Sequence, residues 1–280
     1  MAEEELGPMA ERLKAEIRRL EEAAEREGKD RSDLMAARRL LERSLFHIER
    51  ARDGVTIGGP VEAEQGEMLD IEIEEDLLEA NRRLAETNRD LLRKHGIRAI
   101  DVMGAIGSGK TSLIAAIVER LRKTVSVGML GGDTATSIDA DMVRRSGAQT
   151  VQINTGKECH LDANLVSRAL ANMDLDAIDV LFVENVGNLI CPSEFDLGCD
   201  MRLVVISVTE GESMVVKHPM MFTDADVVAI NKMDMAESFG SDPGKLERDL
   251  KKLNADAIPV RTSARTGQGL EELLAELDLV

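Results

Sequence analysis

From residue 99 onward, short apolar runs alternate with stretches in which apolar side chains recur every three or four positions. Continuous apolar runs predict buried strands, and the three-to-four spacing predicts amphipathic helices. Regular alternation of the two is typical of a parallel sheet with helices on both faces. We therefore expect an α/β fold with strands over residues 99–103, 125–130, 150–153, 180–184, 203–208, 227–231 and 258–260, and helices over 111–123, 161–173, 245–253 and 270–277.

A different pattern precedes this alternation. Two apolar stripes at helical spacing, one from Leu13 to Ala24 and one from Leu34 to Ile48, predict a helical hairpin. The glycine-containing stretch that follows has little periodicity, which favours a linker, and one more helix is expected over residues 74–95. The predicted division is a helical hairpin over residues 1–53, a linker over 54–70 and a main domain over 71–280. The hairpin could serve dimer contacts or partner docking, or consist of solvated helices with no partner.

The composition of the 280 residues excludes several classes of function. Hydrophobic residues make up 43% of the chain, so it can bury a core. Aromatic residues make up only 2%, which argues against a surface that stacks bases or sugars. The net charge of −18 disfavours nonspecific binding to nucleic acid or to an anionic membrane. We expect partners of neither kind, and a phosphate ligand needs a local positive pocket.

The three cysteines, Cys159, Cys191 and Cys199, are too few for a disulfide framework and favour a reducing compartment. The first residues lack a basic segment followed by an apolar stretch, and no apolar run approaches the ~18 residues that span a bilayer. A cytoplasmic location is therefore expected. Cys199 is expected to be a core thiol.

Residues 104–111 fit the phosphate-loop pattern, with an expected strand before them and an expected helix after them. Glycines in such a loop let successive backbone N–H groups point at phosphate oxygens. Lys110 is expected to reach the outer phosphates, and the Thr111 hydroxyl is expected to bind Mg²⁺. The candidate phosphate-binding residues are Gly104, Gly107, Ser108, Gly109, Lys110, Thr111 and Ser112. The fold expected is thus a P-loop NTPase with a mostly parallel sheet, preceded by an N-terminal helical extension.

Two further polar strings follow expected strands. Asn231, Lys232 and Asp234 come after residues 227–230, and Ser263 and Ala264 come after residues 258–260. An aspartate at such a strand end can accept hydrogen bonds from guanine N1 and N2, which adenine does not offer. Alone, an Asn-Lys-x-Asp string also arises as a helix cap or a turn. Behind a phosphate loop, it predicts GTP and GDP as the ligands.

Two acids, Asp133 and Glu184, also follow apolar strands. Strand-end carboxylates orient Mg²⁺ in phosphoryl transfer, directly or through water. With Lys110 and Thr111 they form the candidate catalytic set. The alternative is that an acid such as Asp133 only caps the next helix.

A second group of residues could bind a metal. Cys159 and His160 are adjacent, and Cys191 lies seven residues after Glu184, in a segment expected to respond to the nucleotide. In a loop, the adjacent pair could converge on one ion. The spacing alone is a poor signal, and a buried thiol beside a capping histidine is the alternative.

The chain resembles the hydrogenase nickel-incorporation GTPases, the HypB family, over residues 74–277. The resemblance rests on residues 104–112, 131–140, 155–163, 184–192, 217–222 and 231–234. It implies a slow GTPase that helps insert nickel into a [NiFe] hydrogenase and forms a GTP-dependent homodimer. It also implies Ni²⁺ or Zn²⁺ at Cys159, His160 and Cys191, at a subunit interface. The implied partners are a HypA-type nickel/zinc metallochaperone and the hydrogenase large subunit.

Two other functions remain open. A urease-type nickel accessory GTPase shares the fold, but its metal motif places a proline between Cys and His, whereas Cys159 and His160 are adjacent. A regulatory GTP-binding module with structural zinc would hold the metal in a closed four-ligand site. Residues 1–70 contain no cysteine and one histidine, His47, so the nickel-storing N-terminal tract of many family members is not expected.

Overall fold

The computed structural model describes most of the main domain and a small part of the N-terminal segment. The described residues are 11–15, 18–19, 67–133, 138–154, 160–188 and 195–280. The chain divides into two compact units, Met1–Leu69 and Asp70–Val280. In the first unit, residues 11–15 and 18–19 are helical. The remainder of the expected hairpin and most of the expected linker lie outside the described residues, so the predicted division of the chain stays a prediction.

Helices and strands alternate from Glu67 to the end of the second unit. The helices are α1 (Glu67–Lys94), α2 (Lys110–Leu121), α3 (Ile138–Ser146), α4 (Ala163–Leu170), α5 (Met214–Lys217), α6 (Ala236–Phe239), α7 (Pro243–Leu253) and α8 (Leu270–Glu276). The strands are β1 (Arg98–Met103), β2 (Val127–Asp133), β3 (Gln149–Asn154), β4 (Val180–Glu184), β5 (Met201–Ser207), β6 (Val227–Asn231) and β7 (Ile258–Arg261). Short 3₁₀ turns include Val208–Glu210 and Met233–Met235.

The seven strands form one sheet in the order β3-β2-β4-β1-β5-β6-β7. Every pairing in it is parallel. The predicted α/β class is therefore confirmed, and the sheet is wholly rather than mostly parallel. β1 lies at the centre, with β2 to β4 on one side and β5 to β7 on the other. Ligands of such sheets bind in the crevice outside the carboxyl ends of the strands, where the chain changes side.

The core has two layers, one on each face of the sheet. Leu203 and Val205 of β5 pack with α2 and α8. Val204 and Ile206 point to the other face and pack with α5 and α7. α1 and α4 cover the rest of that second face, where Cys199 also packs, as expected of a core thiol. Burial raises the pKa of the Cys199 thiol well above its ordinary value.

Some element bounds differ from the expected ones. α1 begins at Glu67, before the expected residue 74. β2 continues to Asp133 because the backbones of Gly131 and Gly132 still pair with β3, although neither glycine carries a side chain that would indicate a strand in the sequence. α3 was not predicted, since its apolar residues are too few to show a period. α5 and α6 are single turns, too short for periodicity to reveal. Across the described part of the chain, no helix is both long and apolar enough to cross a bilayer.

Candidate functional site

The phosphate loop connects β1 to α2 at the carboxyl edge of the sheet. Lys110 is buried, and its Nζ donates to the carbonyl oxygens of Gly104, at 3.1 Å, and Ala105, at 3.2 Å. Gly104 has φ +147°, and a Cβ there would clash with the Val205 carbonyl of β5. The glycine therefore lets the loop lie directly against the neighbouring strand, with its lysine folded inward.

Thr111 and Glu184, two residues expected to bind Mg²⁺, are in contact. Thr111 Oγ1 donates to Glu184 Oε1 at 2.8 Å and lies 3.0 Å from Oε2, and both residues are buried. β4 pairs with β1, which places Glu184 opposite Val102 and beside the phosphate loop. A hydroxyl and a carboxylate are the oxygen donors that Mg²⁺ prefers. Asp133 ends β2 in register with Asn154, and its side chain lies outside the described part.

Asn231 ties the phosphate loop to the loops after β6 and β7. Its Nδ2 donates to the Ser108 carbonyl at 3.0 Å. Its Oδ1 accepts from the Ala264 backbone N–H at 3.2 Å and from the Thr262 hydroxyl at 3.4 Å. The next residue, Lys232, has φ +61° and donates from Nζ to the Gly107 carbonyl at 2.6 Å. The side chains of Asn231 and Lys232, which were expected to recognise a base, are therefore in direct contact with the phosphate loop.

Asp234 is held as an ionised acceptor. The Ser263 hydroxyl donates to its Oδ1 at 2.6 Å, and Arg265 forms an ion pair with its Oδ2 at 2.5 Å. The Ser263 hydrogen bond and the Arg265 charge lower the pKa of the Asp234 carboxyl below its ordinary value. Arg265 was not predicted from the sequence. The cavity beside Asp234, of about 200 Å³, is lined by Gly109, Ser112, Asn231, Lys232, Asp234, Met235, Ala264 and Arg265.

Glu210 is a second residue that the sequence did not single out. It ends the 3₁₀ turn after β5, which contacts the turn Met233–Met235 after β6. Both carboxylate oxygens are buried, without a hydrogen bond of ordinary geometry from any described group. Burial raises the pKa of Glu210 to about 7, although the Ser207 backbone and the ammonium groups of Lys232 and Lys110 act to lower it. The available signal was an acid two residues after the expected strand 203–208.

The residue after Glu184 points toward the candidate metal-binding segment. Asn185 is buried, and its Oδ1 accepts from the backbone N–H groups of Leu161, at 3.1 Å, and Val186, at 3.0 Å. Leu161 directly follows His160 in the chain. The His160 ring stacks on Phe195, with ring centroids 4.0 Å apart and planes inclined by 25°. His160 is therefore in contact with Phe195, and its neighbour in the chain is bonded to the residue that follows Glu184.

The other two expected metal ligands, Cys159 and Cys191, lie outside the described residues. Within the described ranges, no group of three or more His, Cys, Asp and Glu side chains converges as a metal site would require. The sequence-predicted site at Cys159, His160 and Cys191 therefore stays a prediction, of which the structure describes one member.

The loop after Glu184 touches the phosphate loop directly. A Cβ added at Gly187 would lie 2.9 Å from the Ile106 backbone nitrogen and 3.0 Å from its Cα. Only a residue without a side chain permits this approach, since real Cβ contacts are longer. The segment that leads toward Cys191 is thus packed on the phosphate loop at its start.

Comparison with known proteins places this geometry in context. The model of the CobW/HypB/UreG nucleotide-binding domain matches residues 98–261. The "Probable hydrogenase maturation factor HypB" of Methanocaldococcus jannaschii is 50% identical over 204 residues, which cover 73% of this chain and 92% of that protein. The hydrogenase maturation factor HypB of Escherichia coli K12 is 38% identical over 214 residues, covering 76% of this chain and 73% of that protein.

Two solved structures are also similar. The crystal structure of hydrogenase maturation factor HypB from Archaeoglobus fulgidus has a TM-score of 0.67 and 46% identity, and the match covers 71% of this chain and 97% of that chain. HypB from Helicobacter pylori, crystallised in complex with nickel, has a TM-score of 0.67 and 34% identity, and the match covers 71% of this chain and 95% of that chain.

Proposed function

The chain belongs to the HypB branch of the CobW/HypB/UreG family, and from that premise we propose that it is a GTP-hydrolysing metallochaperone that assists nickel insertion into a [NiFe] hydrogenase. One observation carries the proposal. Glu184 contacts Thr111 of the phosphate loop, and the adjacent Asn185 holds the backbone next to His160. A nucleotide site and a candidate nickel ligand are therefore joined at neighbouring residues.

The charges already in place support GTP binding. Lys110 donates to two loop carbonyls, and the outer phosphates offer stronger, charge-assisted acceptors to the same ammonium group. Asp234, kept ionised, accepts from guanine N1–H and the N2 amino group once Arg265, which is mostly exposed, moves aside. The same carboxylate finds no pair of donors on adenine, so the site discriminates against ATP.

The oxygen donors of Thr111 and Glu184 fit Mg²⁺ and would hold it beside the phosphates. Mg²⁺, when bound, neutralises charge that develops on the transferred phosphoryl group. Within the chain, Glu184 orients the Thr111 hydroxyl, and Lys110 stabilises the leaving phosphates. We infer slow turnover, since hydrolysis in such a protein times an assembly rather than processing a metabolite.

We further propose that Cys159, His160 and Cys191 bind nickel as cargo, or zinc, and that two chains pool these ligands in a GTP-dependent homodimer. Thiolate and imidazole ligands accept either metal. Three ligands per chain leave a tetrahedral site one short, which water or a symmetry-related copy could supply. The nickel complex of HypB from Helicobacter pylori supports the choice of metal. By family resemblance, a HypA-type metallochaperone and the hydrogenase large subunit are the partners.

The coupling is tested by titrating Ni²⁺ into the full chain with GDP and with a non-hydrolysable GTP analogue. We expect about tenfold tighter nickel binding with the GTP analogue, within the 1 to 3 kcal/mol typical of coupled sites, together with a doubling of mass in solution. Cys159→Ala and Cys191→Ala should remove the coupling while GTP binding stays within about threefold. Cys199→Ala is the matched control, since that thiol packs in the core.

Equal nickel affinities in the two nucleotide states would favour the alternative of a regulatory module with structural zinc. In that case zinc would be retained equally with GDP and with the GTP analogue, and the molecular mass in solution would be the same in both nucleotide states. Unchanged nickel binding in both ligand-cysteine variants would place the metal elsewhere.

A chain that begins at Glu67 is expected to fold and to hydrolyse GTP at a rate within about twofold of the full chain. The reason is that this shortened chain keeps the whole of α1, which begins at Glu67, and all candidate nucleotide residues. Turnover and thermal unfolding of the shortened and full chains provide the measurement. An insoluble or inactive product would mean that residues 1–66 belong to the core of the GTPase domain.

A further inference from the structure

A carboxylate is enclosed at the edge of the sheet where the candidate nucleotide residues lie. Glu210 ends the 3₁₀ turn Val208–Glu210, which directly follows β5. β5 pairs on one side with β1, which leads into the phosphate loop, and on the other side with β6, which leads into Lys232. Glu210 therefore follows the strand that lies between the phosphate loop and the loop after β6.

Both of these loops pack against the end of β5 or the turn that follows it. A Cβ at Gly104, in the phosphate loop, would clash with the Val205 carbonyl of β5. The turn that ends at Glu210 contacts the turn Met233–Met235 and helix α6. The segment that carries Glu210 is therefore in contact with elements that are expected to hold the nucleotide.

The Glu210 carboxylate is buried without a hydrogen-bond donor of ordinary geometry among the described residues. Burial without donors favours the neutral form of an acid. Burial raises the pKa of Glu210 to about 7, while the Ser207 backbone and the ammonium groups of Lys232 and Lys110 act to lower it. The charge of Glu210 therefore depends on the positive charges of these two lysines.

The same two lysines contact the phosphate loop. Lys110 Nζ donates to the carbonyls of Gly104 and Ala105, and Lys232 Nζ donates to the Gly107 carbonyl at 2.6 Å. Both ammonium groups therefore lie where phosphate oxygens are expected to bind. A negative charge on Glu210 and the charges of a bound nucleotide thus act on the same cations.

The acids on the surrounding elements have other environments. Asp234, in the adjacent turn, is bonded to the loop after β7. Glu237 of α6 is exposed. Glu212, two residues after Glu210, accepts at 2.9 Å from the backbone N–H of the residue that precedes α7. The two lysines are therefore the charged side chains that act most directly on Glu210.

We propose that Glu210 takes up a proton when a guanine nucleotide binds and thereby sets the affinity of the site, an inference that rests on the proposed function. The phosphates bring several negative charges to Lys110, and a carboxylate beside them is disfavoured. The proton comes from solvent, to which Glu210 is partly exposed, and it bonds to one carboxylate oxygen. The neutral acid then leaves both ammonium groups to the phosphates. Glu210 is thus a positioning residue, since it acts through the two lysines.

Nucleotide affinity is then expected to fall as the pH rises. The nucleotide-bound chain holds more protons than the free chain, so proton loss at higher pH favours the free chain. The pKa of Glu210 is about 7 in the free chain and higher in the complex, which places the fall above pH 7. A pKa raised by about one unit corresponds to about a tenfold change in affinity between the two limits of pH.

The test uses the full chain with GDP as the probe. Calorimetric titration between about pH 6 and about pH 8.5 gives the affinity, and titration in buffers of different ionisation enthalpy gives the number of protons taken up. For a pKa raised by about one unit, we expect roughly sevenfold weaker binding at the upper pH and an uptake of about half a proton at about pH 7.5. The phosphates of GDP also titrate, but they do so equally in every variant.

Glu210→Gln keeps the shape of the side chain and removes its charge. This variant should bind GDP as the wild type does at about pH 6 and roughly sevenfold more tightly at about pH 8.5, without the proton uptake that Glu210 supplies. Glu237→Gln is the matched control, since it removes an exposed acid from the helix that contacts the same turn. Its pH profile and its proton uptake should equal those of the wild type.

A Glu210→Gln profile that runs parallel to the wild-type profile, with equal proton uptake, would overturn the inference, because a merely structural role changes the affinity equally at every pH. If that variant does not fold, Glu210→Met, which has similar length and no charge, decides by the same two measurements. Absence of proton uptake by the wild type would overturn the inference without any variant. A wild-type chain that binds no GDP at any pH would overturn the proposed function itself, whereas GDP binding with parallel profiles overturns only the role of Glu210.

Discussion

Substitution of Lys110 by alanine is expected to weaken GTP binding by roughly a thousandfold and to abolish measurable hydrolysis. The Lys110 ammonium is buried and held on the carbonyls of Gly104 and Ala105, so it is in place before the nucleotide arrives. Removing one partner of a buried, hydrogen-bonded charge pair costs about 2–5 kcal/mol. Titration calorimetry with GTP measures the affinity, and phosphate release measures turnover.

The control for this substitution is Lys123→Ala, which removes the same charge from an exposed position after α2. It should bind GTP within about twofold of wild type, because the charge of an exposed side chain is screened by solvent and salt. GTP affinity in Lys110→Ala within threefold of wild type would contradict the role of residues 104–111 as a phosphate loop.

Substitution of Asp234 by asparagine is expected to lower GTP affinity by on the order of a hundredfold and to shift the preference to xanthosine triphosphate. In the proposed site the carboxylate accepts from two donors of guanine, whereas xanthine has a carbonyl at position 2 that requires a donor from the protein. Ser263 can still donate to the amide oxygen, so the loop after β7 keeps its contact. Competition among GTP, ATP and xanthosine triphosphate gives the three affinities.

Asp256→Asn is the matched control, an exposed acid whose backbone N–H is bonded within its own turn. Its nucleotide preference should not change. An Asp234→Asn protein that still prefers GTP, or a wild-type protein that binds ATP and GTP equally, would falsify the guanine assignment.

Local signals were sufficient for the strands that carry the nucleotide motifs. β4 and β6 have the predicted bounds, 180–184 and 227–231, because each is an uninterrupted apolar run closed by a polar residue. The phosphate loop could be located because glycine, lysine and threonine occur together at fixed spacing between a strand and a helix. The parallel order of the sheet then brings residues 231–234 and 263–264 beside it.

Long-range partners left no such signal. Asn81 and Asn88 are polar residues on an amphipathic helix, a pattern that normally indicates a solvated face. Their partners lie 75 to 115 residues away in the chain, and only the folded topology brings them together. Arg265 gives no hint in the sequence that it pairs with Asp234 across two loops. Cys159 and Cys191 remain predicted ligands, and His160 is the one whose surroundings are known.

Glu184 and Asn185 are consecutive, yet they serve opposite faces of the sheet. Glu184 meets Thr111 at the start of α2, and Asn185 meets Leu161 just before α4. Consecutive Cα atoms are only about 3.8 Å apart, so a single peptide unit separates the two contacts. Rotation about that unit displaces both side chains at once. In the proposed coupling of the phosphate site to His160, a rotation of this one peptide unit would therefore be enough, and the strength of the coupling would depend on how rigidly that amide plane is held.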